Sequence, residues 1–146
     1  MPAAPAQPAA PAPPFTSHSV SLGPFTVVAE PDALRAFAAA TGDEAACDGA
    51  VPATFPMVWL SRAEIRDALL ALLRPGELAF HEEQGFECHR PLEAGRPYRL
   101  SVDLDRTEEP ARIALAARVS GPDGAPALAA RTVLRLIAPG AAEARP

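Results

Sequence analysis

Lysine and asparagine are both absent, so all 13 cationic side chains among the 146 residues are arginines. With 18 prolines and abundant alanine, this is the usage of a GC-rich genome and carries no chemical meaning of its own. Basic clusters are missing too, and the net charge is −5, which excludes the electrostatic footprint of a nucleic-acid or anionic-membrane binder. Aromatic residues make up only 5%, so the 49% hydrophobic content rests largely on alanine and predicts a thin core. The two cysteines, Cys47 and Cys88, lie far apart and without metal-type spacing, which predicts free thiols rather than a disulfide or a metal site. No apolar run is long enough for a membrane span, and the start of the chain has neither a basic nor an apolar leader segment. A cytoplasmic protein is the expectation.

Against those absences stands one strongly apolar stretch, Met57–Gly76. Ser61-Arg62-Ala63-Glu64 has the form of a capping box, in which the Ser hydroxyl and the Glu carboxylate satisfy each other's backbone N–H groups. Ile65, Ala68, Leu69, Leu72 and Leu73 follow at helical spacing, with Leu70 and Ala71 on the other side. Such a helix is apolar nearly all round in its second half and is expected to be wrapped by a sheet. Arg74-Pro75-Gly76 ends it.

Residues 1–14 form a Pro/Ala tail with no apolar periodicity, read as disordered; residues 15–138 form one domain, and 139–146 a flexible C-terminal tail. Ser19–Leu22 and Phe25–Val28 are two short strand pieces split by Gly23-Pro24. Pro31 opens a helix whose inner stripe is Leu34, Phe37, Ala38 and Thr41, and Gly42 stops it. Asp43–Pro56 is a loop whose two late prolines stiffen the approach to the central helix. Glu77–Arg90 is a long strand with a bulge expected at Gly85. Pro97–Asp105 alternates with Tyr98, Leu100, Val102 and Leu104 inward, and Arg112–Ser120 with Ile113, Leu115, Ala117 and Val119 inward. The Gly121-Pro122-Asp123-Gly124 turn leads into a return strand, Pro126–Ile137. The class is α+β, an antiparallel sheet around a central helix.

Three stretches in this order resemble MaoC-like (R)-specific enoyl-thioester hydratases and dehydratases. They are Phe25-Thr-Val-Val with Leu34–Asp43, then Val51-Pro52-Ala53-Thr54-Phe55-Pro56, then Glu83–Gly95. The resemblance spans about Phe15–Ile137 and is nearest to the N-terminal, fatty-acid-synthase-type dehydratase half of that superfamily. It implies a hot-dog fold, a place in fatty-acid metabolism, and an acyl-CoA or acyl-carrier-protein thioester as substrate. It also implies a second hot-dog chain as partner, in a heterodimer or alternatively a homodimer, and no cofactor or metal. Val51, Pro52, Thr54, Phe55 and Trp59 are the residues it implies along the acyl channel.

Catalytic members carry Gly-Asp-x-Asn-Pro-x-His, in which Asp and His position and deprotonate water for addition across the conjugated double bond. Here the run is Gly42-Asp43-Glu44-Ala45-Ala46-Cys47-Asp48. Asp43 matches, while Ala45, Ala46 and Asp48 replace Asn, Pro and His. A carboxylate at Asp48 is no substitute for a neutral imidazole near pH 7. Asp43 is therefore the one catalytic candidate in the motif, and its bland reading is a loop residue satisfying local N–H groups. His81 is the alternative base, placed two positions from Glu83 on one face of a regular strand; His89 sits in the Arg90-Pro91-Leu92 corner. Glu82 and Glu83, adjacent in a regular strand, point to opposite faces and form no dyad. The expected function is the non-catalytic, channel-forming half of an enoyl-CoA hydratase or 3-hydroxyacyl-thioester dehydratase. The alternatives are a hot-dog thioesterase using Glu64 or Asp67 on the central helix, and a thioester-binding module without turnover.

Overall fold

Alternation of apolar and polar residues builds the centre of the sheet first. In β3 (Pro97–Glu108) Tyr98, Leu100, Val102 and Leu104 are buried, and β4 (Ala111–Ser120) pairs with it so that Leu100 meets Val119 and Leu104 meets Leu115. β5 (Pro126–Ile137) returns through the Gly121–Gly124 turn and continues the buried face with Leu128, Ala130 and Leu136. β1 (His18–Val28) adds to β3, and β2 (Leu78–Cys88) adds to the far side of β5. All pairings are antiparallel and the order is β1-β3-β4-β5-β2. The computed structural model describes residues 18–42 and 50–140. The two expected tails and the run Asp43–Asp48 lie outside them or at their margins.

Among the described residues, three helices lie on one face. α1 (Pro31–Thr41) starts on a proline and buries Leu34 and Ala38, and its last turn closes where Gly42, at φ 71°, donates its N–H to the Ala38 carbonyl. α2 (Pro56–Leu60) is a short helix that buries Pro56, Trp59 and Leu60, and α3 (Ala63–Ala71) follows it. The two β1 pieces expected from the sequence are one strand, with its register shifted between Leu22 and Phe25. Gly23 is required there: a side chain at its φ of 94° would put a Cβ 2.5 Å from the Leu100 carbonyl oxygen.

Several local expectations are corrected. Ser61 does not cap α3; its hydroxyl donates to the Val58 carbonyl and finishes α2, and Arg62 occupies the cap position without a side-chain bond. An unrecognised short helix ahead of Ser61 offers its hydroxyl a carbonyl acceptor, so the hydroxyl donates within α2 and does not accept from the N–H groups of α3. The central helix is also less enclosed than its composition implies: Ile65 is buried, Ala68, Leu69, Leu72 and Leu73 are half-buried against the core, and Leu70 is 53% exposed. The bulge in β2 falls between His81 and Glu83 instead of at Gly85. Three residues earlier in the strand than expected, it changes which side chains share a face.

With Glu82 as the extra residue, Glu82 and Glu83 both reach the outer face, where Glu82 accepts two bonds from Arg112 and Glu83 one from Arg131. His81 and Glu83 consequently face opposite ways, while His81 and Gln84 share the helix side. The phase break is a product of sheet chemistry: Arg112 and Arg135 stand directly opposite on β4 and β5, and Glu82 lies beside both cations.

Among the described residues a charged pair, Arg106 and Glu77, is buried at the margin of the core. Arg106 continues the inward phase of β3 beyond Leu104 and is 2% exposed. Its guanidinium bonds both Glu77 oxygens (2.7 and 2.9 Å), Glu108 (2.9 Å) and the Leu72 carbonyl at the end of α3 (2.7 Å). This single side chain ties together the end of α3, the approach to β2 and the β3–β4 corner.

Candidate functional site

Residues 50–55, ahead of α2, run beside the C-terminal end of β2, and a cleft of about 320 Å³ opens between them. Its walls are Val51 and Ala53 on one side, Cys88, His89, Arg90, Pro91 and Leu92 on the other, with Leu128 at the base. A bridge between Ala50 and Glu93 pins the loop to the β2–β3 corner. The corner is itself fixed to β5, since the N–H groups of His89 and Arg90 both donate to the Ala127 carbonyl (2.9 and 3.1 Å). Arg90 reaches the Ala125 carbonyl (3.1 Å) and lies 3.5 Å from Asp123. The Ala125 N–H, and secondarily Arg90, hold the Asp123 carboxyl below the usual carboxylate range.

Of the residues expected along the channel, Val51 lines this cleft and Pro52 is half-buried beside it. Thr54 is exposed. Phe55 is fully buried and Trp59 is 6% exposed, in a chain of ring contacts from Phe37 through Phe55 (5.5 Å) to Trp59 (5.7 Å) and Tyr98 (6.3 Å). Trp59 Nε1 donates to the Val28 carbonyl (3.3 Å), and the Tyr98 hydroxyl accepts from the Glu93 N–H (2.8 Å). The aromatic residues thus form the core behind the cleft, joined through Tyr98 to the corner that forms its far wall. Asp43 and Asp48 lie outside the described residues. Glu64 and Asp67 are exposed on α3, beside Arg62 (3.4 Å) and Arg66 (3.5 Å) respectively. A bond from the backbone, then Arg62, keeps the Glu64 carboxyl below its ordinary range.

His81 is at the opposite end of β2 from the cleft, on the helix side of the sheet. Its Nε2 is 3.1 Å from Gln84 Oε1, which also accepts the hydroxyl of Thr132 (2.7 Å). Thr132 is buried at 7% exposure, so this amide oxygen is fixed from beneath. With Nε2–H donating, Nδ1 is left as a bare acceptor. Reading β2 as regular hid this trio, because only a bulge brings residues 81 and 84 to one face. Ala53, Leu92 and Leu128 were missed for a different reason: small or plain apolar residues carry no chemical signal until the β2–β5 register is known. Among the described residues no group of three His, Cys, Asp or Glu side chains is placed to hold a metal, and no helix is long and apolar enough to cross a membrane.

No protein-family model and no curated protein sequence matches the chain. Solved structures do. The HadBC (3R)-hydroxyacyl-ACP dehydratase complex of Mycobacterium tuberculosis is 17% identical over 82% of this chain and 96% of that one, with a TM-score of 0.62. A MaoC-like dehydratase is 19% identical over 84% of this chain and 44% of that one, at 0.65. A thioesterase-superfamily protein of Thermus thermophilus is 16% identical over 88% and 87%, at 0.53. A hot-dog-like protein is among the matches as well. The fold is therefore the α+β hot-dog fold, shared with hydratases, dehydratases and thioesterases alike.

Proposed function

We propose that this chain is the non-catalytic, acyl-channel-forming half of an (R)-specific enoyl-thioester hydratase/dehydratase, joined along the β2 edge of its sheet to a hot-dog chain that supplies Asp and His. The observation that carries the reading is the run Gly42–Asp48, which keeps the motif's Asp at Asp43 and has Asp48 in the place of its His. Two further features support it. Among the described residues the cleft is lined mainly by apolar side chains, with His89 and Arg90 at one wall and no carboxylate, a lining that suits the passage of an acyl chain. The chain also corresponds to less than half of the MaoC-like dehydratase it matches, as one of two halves would.

In such a pair the partner's imidazole takes a proton from water while a second group delivers one to carbon. This chain holds the acyl group still through Val51, Ala53, Leu92 and Leu128. Its substrate is an acyl-CoA or acyl-carrier-protein thioester, and it requires no cofactor. Purified alone, it is expected to hydrate a 2-enoyl-CoA only in trace. Mixed with a hot-dog chain bearing the intact motif, turnover is expected to rise by about 10²–10⁴-fold, the usual worth of a general acid–base group. That activity should survive Asp43→Ala here and fall on Ala53→Trp with the complex intact. Turnover by the isolated chain, abolished by Asp43→Ala, would make it a catalytic subunit, and His81 would be the first base to replace. Thiol release from a saturated acyl-CoA would favour the thioesterase.

A further inference from the structure

The corner between β2 and β3 borders a second opening beside the cleft. This hollow, of about 260 Å³, is lined by Arg90, Pro91, Glu93, Arg96, Tyr98 and Ala127. Arg90 and Pro91 line the cleft as well, so the two openings adjoin across that dipeptide. The cleft is mainly apolar; the hollow is built around two guanidinium groups.

Arg90 and Arg96 enter from the two ends of the corner and converge on the turn between β4 and β5. The point where Gly121 would carry a Cβ lies 3.4 Å from Arg90 Nη2 and 3.8 Å from Arg96 Nη2. A Cβ there would also come 2.7 Å from Asp123 Oδ1, so glycine keeps the meeting place open. Each head is held before any ligand arrives. Arg90 Nη2 donates to the Ala125 carbonyl (3.1 Å) and lies 3.5 Å from Asp123. Arg96 Nη1 donates to Glu93 (2.7 Å), and its guanidinium lies over the ring of Tyr98, 5.8 Å from the centroid. Tyr98 is buried, and its hydroxyl accepts the Glu93 N–H.

Those bonds leave donors over. Among the described residues Nε and Nη1 of Arg90, and Nε and Nη2 of Arg96, have no hydrogen-bond partner. The two carboxylates are 61% and 55% exposed, so water weakens their hold on the guanidinium charge. Two forks approaching from different sides suit a tetrahedral anion with several acceptor oxygens better than a planar carboxylate, which a single fork satisfies. We infer that Arg90 and Arg96 form an oxyanion site for the phosphate on the pantetheine arm of the thioester, beside the cleft that takes its acyl group. A flexible arm passing over Arg90-Pro91 links the two openings. The inference rests on the proposed thioester substrate and not on which chain performs the chemistry.

The test compares binding of phosphopantetheine, pantetheine and inorganic phosphate to the full chain by titration calorimetry. Phosphopantetheine is expected to bind at least about tenfold more tightly than either of the others, the worth of one charge-assisted hydrogen bond. Arg96→Met is expected to abolish that margin, and Arg131→Met, on the outer face of the sheet, to keep it. Glu93→Gln with Asp123→Asn keeps an acceptor oxygen at each position and removes both charges. That variant is expected to bind phosphopantetheine about two- to fivefold more tightly, a gain that a merely structural role for Arg96 does not produce. Equal binding of pantetheine, or an undiminished margin in Arg96→Met, overturns the site. Inorganic phosphate binding as tightly as phosphopantetheine overturns the carried arm as the ligand, and no gain in the neutralised variant overturns the electrostatic account. If phosphopantetheine binds through Arg96 while hydration beside a catalytic partner fails, the site stands and the catalytic pairing falls; the reverse result removes the site alone.

Discussion

Replacing Arg106 with methionine is expected to cost about 3–5 kcal/mol in urea denaturation, the penalty for stranding a buried charge. The stranded group is Glu77, whose side chain is 6% exposed and whose carboxyl the Arg106 guanidinium holds down at about 2. The Leu72 carbonyl loses its donor in the same step. Arg112→Ala is the control. Its pair with Glu82 is comparably short but about one-third exposed on both sides, and such pairs contribute about 0–1 kcal/mol. Equal losses for the two variants would show that the Arg106 network is no more than a surface pairing. Arg106→Met with Glu77→Leu should recover part of the loss, since the buried carboxylate is then gone and Glu108, 28% exposed, keeps its pairing with Arg74.

The same network gives acid sensitivity a definite direction. Glu77 has its folded-state value depressed from an ordinary 4.5 to about 2. Its contribution is fully present above the ordinary value and is lost as pH falls through 4.5 toward 2, because the unfolded chain takes up the proton first. In the Glu77→Gln variant that part of the acid-induced loss should be missing from the stability profile.

Phe55→Ala is expected to cost about 3–5 kcal/mol, as large aromatic deletions in closed cores do. Phe55 has no exposed surface and lies between the rings of Phe37 and Trp59, so neither neighbour can fill the gap without leaving its own contacts. Thr54→Ala, one residue away and exposed, should stay within about 0.5 kcal/mol of the parent. A small loss at Phe55, with a changed preference for acyl length in the proposed complex, would mean that the ring lines the channel directly.

Much of the sheet was legible because alternation is a strong signal when one face is buried. β3 and β4 were readable residue by residue, and α1 was legible from its Pro31 start and Gly42 stop. The alternation in β3 even pointed inward at Arg106, but ending the strand at Asp105 hid it. What the sequence could not supply was anything that depends on a neighbour. Ser61 chose between two helices, donating to a carbonyl of α2 instead of accepting from an N–H of α3, and that choice depends on a helix the sequence did not reveal. The Glu82 bulge answers a pair of arginines on strands that follow more than twenty-five residues later. The cleft is made of alanine, valine and leucine, whose meaning comes only from what lies across from them.

The strand order also sets the sequence of assembly. β3, β4 and β5 follow one another through short turns and can close as the chain is made, whereas β1 and β2 must each be recruited from far earlier in the sequence to an opposite edge. Each edge strand then hangs on a single ladder, while β3, β4 and β5 have two. Amide exchange in the lone chain should therefore be slowest in β4 and its neighbours and fastest in β1 and β2. The sheet edge along which the proposed catalytic partner joins is thus the part that the chain's own folding secures last and holds most lightly.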